Sequence, residues 1–297
     1  MDQLQSKFRG SLVGAAVGDS LGAGGTRYTD DTAMMIGVAE SLIENKGFRA
    51  RHMARVFAKN FEEEPWRGYG PGPPRIFQMM KSGLSYEAAA ESIYPGGSYG
   101  NGSAMRIAPI GLFYCDAPQQ LKKVAYQSSR ITHTHILGME GAALQAYAVA
   151  LAANAQPKAL DRNDFLNKLS DFVEADIYKQ KLGMIRDLLP KGVDRLKVIA
   201  ALGNTVEAFN SVPIAIYSFL ANVGFEQTLK YALSFGGDRD TICAMTGAIA
   251  GACYGIRDPA RREPEDIPGE WTETLENREY IEELARKLWQ TKVAGEK

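Results

Sequence analysis

Apolar residues recur at helical spacing wherever the chain has a clear pattern. In segment 277–289 they form one stripe, with charged residues on the other faces, which predicts an amphipathic helix. The residues of that stripe are Tyr280, Ile281, Leu284 and Leu288. Segment 139–153 is rich in alanine and has few strong β-formers, which predicts a well-buried helix.

The rest of the pattern is also helical. Shorter helices are predicted at 165–173, 178–189 and 204–209. Strand-like alternation is never sustained, so the pattern predicts an all-α fold. Residues 65–74 and 94–102 are rich in glycine or proline and predict irregular loops, and 258–270 predicts a surface connection.

Glycines recur every fourth residue in two apolar segments. They are Gly10, Gly14, Gly18 and Gly22 in the first segment and Gly247, Gly251 and Gly255 in the second. Residues four apart share one face of a helix, so each segment presents a bare stripe. Because glycine costs a helix roughly 1 kcal/mol relative to alanine, repeated glycines indicate that another backbone packs closely there.

Composition excludes several classes of protein. The 297 residues, 45% of them hydrophobic, suit one large domain or two small ones. No linker separates two cores, so we expect a single domain spanning 1–297. A net charge of -1 lacks the broad basic field that direct DNA or RNA binding requires. Three cysteines form no disulfide framework. The apolar stretches at 12–17 and 212–225 are too short for a signal peptide or a membrane span, so we expect a soluble, intracellular protein of the cytoplasm or nucleus.

Two acidic motifs stand directly before predicted helices. Thr29, Asp30 and Asp31 precede the apolar run 33–42, and a second motif of two Asp and one Thr precedes the run 242–252. The residues of the second motif are Asp238, Asp240 and Thr241. Asp and Thr are ordinary helix caps, which is one interpretation. The other is that the four carboxylates meet and repel unless a cation lies between them, and hard oxygen ligands suit Mg²⁺ or Mn²⁺.

A third segment, 96–106, contains four glycines in seven residues before a possible helix start. Its backbone N–H groups could hold a phosphate, although a plain glycine-rich loop has the same composition. His133 and His135 follow. Residues two apart do not share a helical face, so at most one of these imidazoles is expected to enter a site.

These motifs, in this order, resemble the ADP-ribosylhydrolase (ADP-ribosylglycohydrolase) family, which includes the dinitrogenase reductase-activating glycohydrolases. The matching segments are YTDDTAM, GSYGNGSAMR, ITH and GGDRDT. Three further segments are most similar to the branch that removes ADP-ribose from serine and degrades poly(ADP-ribose). They are FRGSLVGAAVGDSLG, RGYGPG and LGNTVEAFNSVPIAIYSFL. The resemblance implies a compact, orthogonal all-α bundle with two Mg²⁺ ions in a central cleft.

The resemblance also implies residue roles. The implied metal ligands are Thr29, Asp30, Asp31, Asp238, Asp240 and Thr241. Of these, Asp240 is the implied bridge between the ions, with Arg239 pointing away. The implied substrate-binding residues are Tyr94, Gly97, Ser98, Tyr99, Gly100, Asn101 and His133. Tyr94 corresponds to an aromatic near the adenosine, and 97–101 to the loop around the diphosphate and ribose.

One departure from the branch concerns catalysis. The resembled proteins have a longer segment between GDSLG and YTDDT, which forms a mobile flap and carries a catalytic glutamate. Here the join is only Ala23 to Arg27 and has no acid. A natural loop loss, a splice form and a deliberate excision would all give this join. Asp30 and Asp31 remain the candidate catalytic carboxylates, and we expect turnover to suffer more than binding.

We therefore expect a monomeric, Mg²⁺-dependent hydrolase of O-linked ADP-ribose. Its partners would be ADP-ribose, ADP-ribosylated proteins carrying ADP-ribosyl-serine, or poly(ADP-ribose), with no nucleic acid or membrane. Three alternatives remain open: an ADP-ribose-binding protein with little or no catalysis, a structural protein like the lens crystallins of the family, and an ADP-ribosyl-arginine hydrolase.

Overall fold

A computed structural model describes residues 3–192, 194–257, 263 and 265–295. The α-helices of these residues are α1 Gln3–Gly22, α2 Asp30–Asn45, α3 Ala50–Glu63, α4 Gly72–Lys81, α5 Tyr86–Ile93, α6 Ala108–Phe113, α7 Pro118–Ser129, α8 Ile136–Asn154, α9 Arg162–Phe172, α10 Asp176–Leu188, α11 Arg195–Leu202, α12 Ala208–Ala221, α13 Phe225–Leu233, α14 Arg239–Tyr254, α15 Gly269–Glu273 and α16 Arg278–Gly295. Short 3₁₀ turns lie at Asn101–Ser103, Pro157–Ala159 and Leu189–Lys191. No β-strand occurs among the described residues, and the all-α prediction is confirmed.

Helices α1 and α14 pack against each other through their glycines. A Cβ atom placed on Gly14 would lie 2.4 Å from the carbonyl oxygen of Gly247, and one on Gly18 would lie 2.1 Å from that of Cys243. Any larger residue would force the backbones apart, so the predicted close crossing is confirmed. The contact brings the end of α1 beside the start of α14.

Helix α8 is the apolar centre of the molecule. Fourteen of its nineteen residues are buried, as the alanine-rich pattern predicts. Within the described part of the chain it is the helix that is long and apolar enough to cross a membrane, but 78% of its apolar window is covered by the rest of the protein. Because neighbouring helices cover it, it has the character of a core helix.

Some sequence predictions need correction. Segment 204–209 is mostly not helical, because the Asn204 and Val206 carbonyls accept hydrogen bonds from Asp238 N–H and Asn101 N–H, and α12 starts only at Ala208. The predicted loop 65–74 ends early, since Pro73 and Pro74 occupy the first turn of α4, where a missing N–H costs nothing.

Helix α16 covers the predicted segment 277–289 with one exception. Ile281, Leu284 and Leu288 are buried, whereas Tyr280 is 46% exposed and its hydroxyl donates to Glu40 on α2. The predicted connection 258–270 lies in part outside the described residues, and its end forms the start of α15.

Candidate functional site

The two acidic motifs meet at the start of two helices. Thr29 is the N-cap of α2, and its hydroxyl accepts from the N–H of Asp31 at 3.3 Å. Asp238 stands at the equivalent position of α14. The Thr241 hydroxyl lies 3.5 Å from a carboxylate oxygen of Asp31, which is 210 positions away in the sequence. The α1–α14 crossing thus joins motifs that are far apart in the chain.

A cleft with a volume of about 420 Å³ opens over these residues. Its walls include ten of the predicted site residues: Asp30, Asp31, Tyr94, Ser98, Gly100, Asn101, His133, Asp238, Asp240 and Thr241. Thr29, Gly97 and Tyr99 do not line it. Gly68, Gly70 and Pro71, from the loop between α3 and α4, form part of its rim.

Burial and mutual repulsion raise the pKa of three of these carboxyls, those of Asp30, Asp31 and Asp238. Burial, together with the charges of Asp19 and Asp240, raises the pKa of Asp30 to about 7. The same causes raise the pKa of Asp31 well above its usual value. Burial also raises the pKa of Asp238, although the Asn101 side chain opposes this by donating to it. Such a group of acids attracts either protons or a cation.

The donor set fits a divalent cation. One oxygen of Asp31, Oδ1, is buried and has no hydrogen-bond partner, and the Thr241 hydroxyl lies on the same cleft wall. Among the described residues, no three His, Cys, Asp or Glu side chains already enclose a point at ligand distance. The acids therefore surround the cleft without closing on one position, and hard oxygen donors of this kind suit Mg²⁺ or Mn²⁺.

Asp19 is a fifth acid that sequence reasoning missed. It lies on α1, has no exposed surface, and accepts hydrogen bonds from the N–H and hydroxyl groups of both Thr29 and Thr32 at 2.6–3.1 Å. Burial raises its pKa to about 6, against the lowering effect of these bonds. Its signal in the sequence is a carboxylate on a helix that is otherwise apolar or glycine-rich at its neighbouring positions.

The glycine-rich loop is fixed directly to the acidic cluster. The Asn101 side chain donates to Asp238 and, at 3.1 Å, to the hydroxyl of Ser211. Gly97 has a φ of +86°, and a Cβ there would lie 2.2 Å from the backbone nitrogen of His135, so only glycine fits. The loop is thereby held in one shape beside the carboxylates.

His133 and His135 have different environments. His133 is buried in the cleft wall against Gly100 and Gly102, and burial lowers its pKa to about 3, so it is neutral at pH 7. One ring nitrogen, Nδ1, lies 2.7 Å from the Thr132 hydroxyl. His135 instead caps α8 by accepting from the N–H of Leu137. Only one of the two imidazoles enters the cleft.

Two tyrosines lie on different sides of the loop. Tyr94 ends α5 and its ring covers Gly72, where a Cβ would lie 2.8 Å from the ring. Tyr99 is 48% exposed outside the cleft, with its ring centroid 5.9 Å from that of Phe209. Tyr94 therefore forms a cleft wall, whereas Tyr99 forms an exposed aromatic surface near it.

The short join is a tight turn at the end of α1. Gly24 has a φ of +88°, and the N–H of Gly25 donates to the Ser20 carbonyl at 2.9 Å. Its residues are exposed and include no acid. The Arg239 side chain donates to the Gly22 carbonyl at 2.6 Å and does not line the cleft, so it points away from the carboxylates.

Comparisons with known proteins show which family the whole chain resembles. Residues 1–296 match the family model described as ADP-ribosylglycohydrolase. The chain is 34% identical to "ADP-ribosylhydrolase ARH3" of Homo sapiens, over 95% of this chain and 93% of that protein. That alignment spans 345 positions, more than the 297 residues here, so the relative has residues that this chain lacks.

More distant proteins also match nearly the whole of this chain. The chain is 22% identical to "ADP-ribosylarginine hydrolase Tri1" of Pseudomonas putida (strain GB-1), over 97% of this chain and 79% of that protein. A solved structure described as "ADP-ribosylglycohydrolase-related protein complex" superposes with a TM-score of 0.77 at 24% identity. It covers 98% of this chain and 100% of that one, which supports the same fold.

Proposed function

The chain belongs to the ADP-ribosylglycohydrolase family, and from this premise we propose that it hydrolyses the glycosidic bond of ADP-ribose attached to serine, with the help of Mg²⁺ or Mn²⁺. The observation that carries the proposal is the meeting of both acidic motifs and the glycine-rich loop on one cleft. Poly(ADP-ribose) is a substrate of the same chemical class.

The two motifs supply the oxygen ligands for the cation pair. The ligands in this proposal are Thr29, Asp30, Asp31, Asp238, Asp240 and Thr241. When bound, the cations supply Lewis-acid stabilisation to the ribose hydroxyls and to the attacking water. Thr29 does not line the cleft, and its hydroxyl is oriented by the cap of α2 and by its bond to Asp19. The Asn101 side chain donates a hydrogen bond to Asp238, so the substrate-binding loop and the cation site are in direct contact.

The loop binds and orients the substrate. Ser98, Gly100 and Asn101 line the cleft next to neutral His133, which offers a hydrogen bond without a charge. Gly97 and Tyr99 shape the outer part of the loop, and Tyr94 supplies an aromatic wall for the adenosine. Uncharged groups at this wall add no further negative charge beside a diphosphate.

The reaction needs two proton transfers. A water molecule attacks the anomeric carbon and gives up a proton, while the departing serine oxygen takes one. The join contains no acid, so both transfers fall to the cleft carboxyls, of which Asp30 and Asp31 stand in the first turn of α2. Carboxyls that also hold cations are poor donors, and losing a dedicated proton donor typically costs 10²–10⁴ in rate. We therefore expect the protein to bind ADP-ribose well but to hydrolyse its substrate slowly.

The decisive experiment measures free ADP-ribose released from a serine-ADP-ribosylated peptide in Mg²⁺ and in EDTA. Mg²⁺-dependent release supports the proposal. If the protein binds ADP-ribose but releases none, it is a binding protein that lacks its acid. An arginine-ADP-ribosylated peptide is run in parallel, because one relative is called an ADP-ribosylarginine hydrolase. Preferential cleavage of that peptide would contradict the serine preference.

Variants of the ligand residues test the assignment itself. Asp30→Ala and Asp240→Ala should each lose cation binding and weaken ADP-ribose affinity together, because each removes a hard ligand from the shared cleft. Isothermal titration with Mn²⁺ and with ADP-ribose measures both. Asp164→Ala is the matched control, since Asp164 is exposed on α9 and pairs with Lys168. Wild-type Mn²⁺ affinity in both cleft variants would refute the ligand set.

A further inference from the structure

Arg67 is a buried cation at the junction of three separate chain segments. Its side chain is 4% exposed. The guanidinium makes two bonds to Glu64, at 2.9 Å each, and two to Glu276, at 2.7 and 3.2 Å. A fifth bond goes to the backbone carbonyl of Tyr28 at 3.1 Å. A guanidinium has five N–H groups, so its donor capacity is fully used.

The Tyr28 side chain is held by the same cluster. The Arg67 guanidinium carbon lies 3.9 Å above the centre of its buried ring, within the range of a cation–π interaction. The Tyr28 hydroxyl accepts from the Asn277 side chain at 2.9 Å. Tyr28 is the residue directly before Thr29, the N-cap of α2. Arg67 thus contacts both the backbone and the ring of the residue directly before the first acidic motif.

The short join is tied to the same place. The N–H of Glu276 donates to the carbonyl of Thr26 at 3.3 Å, while the Glu276 side chain pairs with Arg67. Residues 23–27 are exposed, so their own side chains contribute little packing. Arg67 also stands at the base of the loop whose next residues, from Gly68 onward, form the cleft rim.

We propose that Arg67 is a positioning residue of the cation site: it fixes the Tyr28 carbonyl and thereby the orientation of Thr29 and Asp30. This inference rests on the proposed function, since it names what holds the first half of the ligand set. Glu64 and Glu276 hold the guanidinium in its plane. Lysine cannot replace it, because an ammonium has three donors and no planar fork to bridge two carboxylates and a carbonyl.

The test compares Arg67→Lys with the wild type at three levels. Hydrogen–deuterium exchange of the Thr29 and Thr32 amides, without any cation, measures the start of α2 directly. Mn²⁺ affinity is measured by electron paramagnetic resonance, and ADP-ribose affinity at saturating Mg²⁺. We expect exchange to rise and Mn²⁺ affinity to fall by roughly tenfold or more, as for the loss of charge-assisted bonds. ADP-ribose affinity at saturating Mg²⁺ should change much less.

Two further variants keep the result interpretable. Arg286→Lys is the control, because Arg286 pairs with Glu283 on the surface of α16 and should leave all three measurements unchanged. Glu276→Gln keeps the guanidinium and its Glu64 partner. It should change amide exchange and Mn²⁺ affinity in the same direction as Arg67→Lys does, but by less. It serves if Arg67→Lys fails to fold.

The outcomes separate this inference from the proposed function. Wild-type exchange and Mn²⁺ affinity in folded Arg67→Lys would overturn it, as would lower stability with unchanged Mn²⁺ affinity, which is the signature of a purely structural residue. If the wild type binds no Mn²⁺, the proposed function fails, and a purely structural Arg67 is then the conclusion whatever the amides show.

Discussion

Asp19 determines how the first acidic motif is presented. One carboxylate accepts from two hydroxyls and two backbone N–H groups of Thr29 and Thr32, which are groups that a helix start otherwise leaves without partners. The motif at 29–32 is visible in the sequence, but its support is not. The spacing between residues 19 and 29 does not predict that the turn at 23–27 brings Thr29 back against Asp19.

Replacing Asp19 with Asn should damage both stability and the site. The amide brings N–H groups against the N–H donors that the carboxylate satisfied, so a loss of about 1–3 kcal/mol in the free energy of unfolding is expected. Urea denaturation measures it. Asp161 is the exposed N-cap of α9, and Asp161→Asn keeps a side-chain oxygen that can accept from the Asn163 and Asp164 N–H groups, so it should cost less. Equal stability of the two variants would contradict the role of Asp19.

At the scale of elements, the glycine faces of α1 and α14 control the distance between the two halves of the acidic cluster. The repeat of four residues predicts both faces from the sequence, because it follows directly from helical geometry. Segment 204–209 is the opposite case. Its residues have helical character, but their carbonyls bind the loop at Asn101 and the turn at Asp238, and this tertiary demand overrides local preference.

Alanine substitution should separate the packed glycines from an unpacked one. In Gly14→Ala the new methyl group would meet the Gly247 carbonyl at 2.4 Å, and overpacking of this kind costs typically 1–3 kcal/mol or more. Gly183→Ala, at an exposed position of α10, meets nothing within 4 Å and should stabilise by about 0.5–1 kcal/mol. Chemical denaturation of both variants gives the comparison. A neutral Gly14→Ala would mean that the helices do not cross closely.

For the whole molecule, the distribution of charge matters more than its sum. The net charge of -1 predicts no broad basic surface for nucleic acid, but it does not reveal that buried acids gather in one cleft. That gathering depends on helices joined across almost the entire chain. The acids could be predicted as candidates from their motifs, whereas their contact, the buried Asp19 and the role of Arg67 require the three-dimensional structure.

Stabilisation by Mg²⁺ should increase with pH. Burial holds the pKa of Asp19 at about 6 and that of Asp30 at about 7, above their unfolded values near 4, so the cation-free protein loses stability as pH rises from about 4 to 7. Protons compete with Mg²⁺ for these groups. The rise in melting temperature on replacing EDTA by Mg²⁺ should therefore be larger at pH 7.5 than at pH 5.5.

Comparing melting temperatures with and without Mg²⁺ removes the pH dependence that His133 contributes, which has the opposite sign to that of the acids. His133 has a pKa lowered to about 3, so its contribution to stability grows as pH rises from about 3 to its unfolded value near 6.5. That contribution is common to both conditions and cancels in their difference. Differential scanning fluorimetry suffices for the measurement. A Mg²⁺ effect that is equal at both pH values, or larger at pH 5.5, would contradict cation binding by these acids.

The contact between α1 and α14 also has a consequence for biosynthesis. The Ser11 hydroxyl donates to the Ala248 carbonyl, 237 positions later, so α1 leaves the ribosome long before its partner exists. Until then its bare face has nothing to pack against, and the nascent chain needs protection from aggregation. The acidic cleft is assembled only near the end of translation, and a chain interrupted before α14 would carry half of the site and no activity.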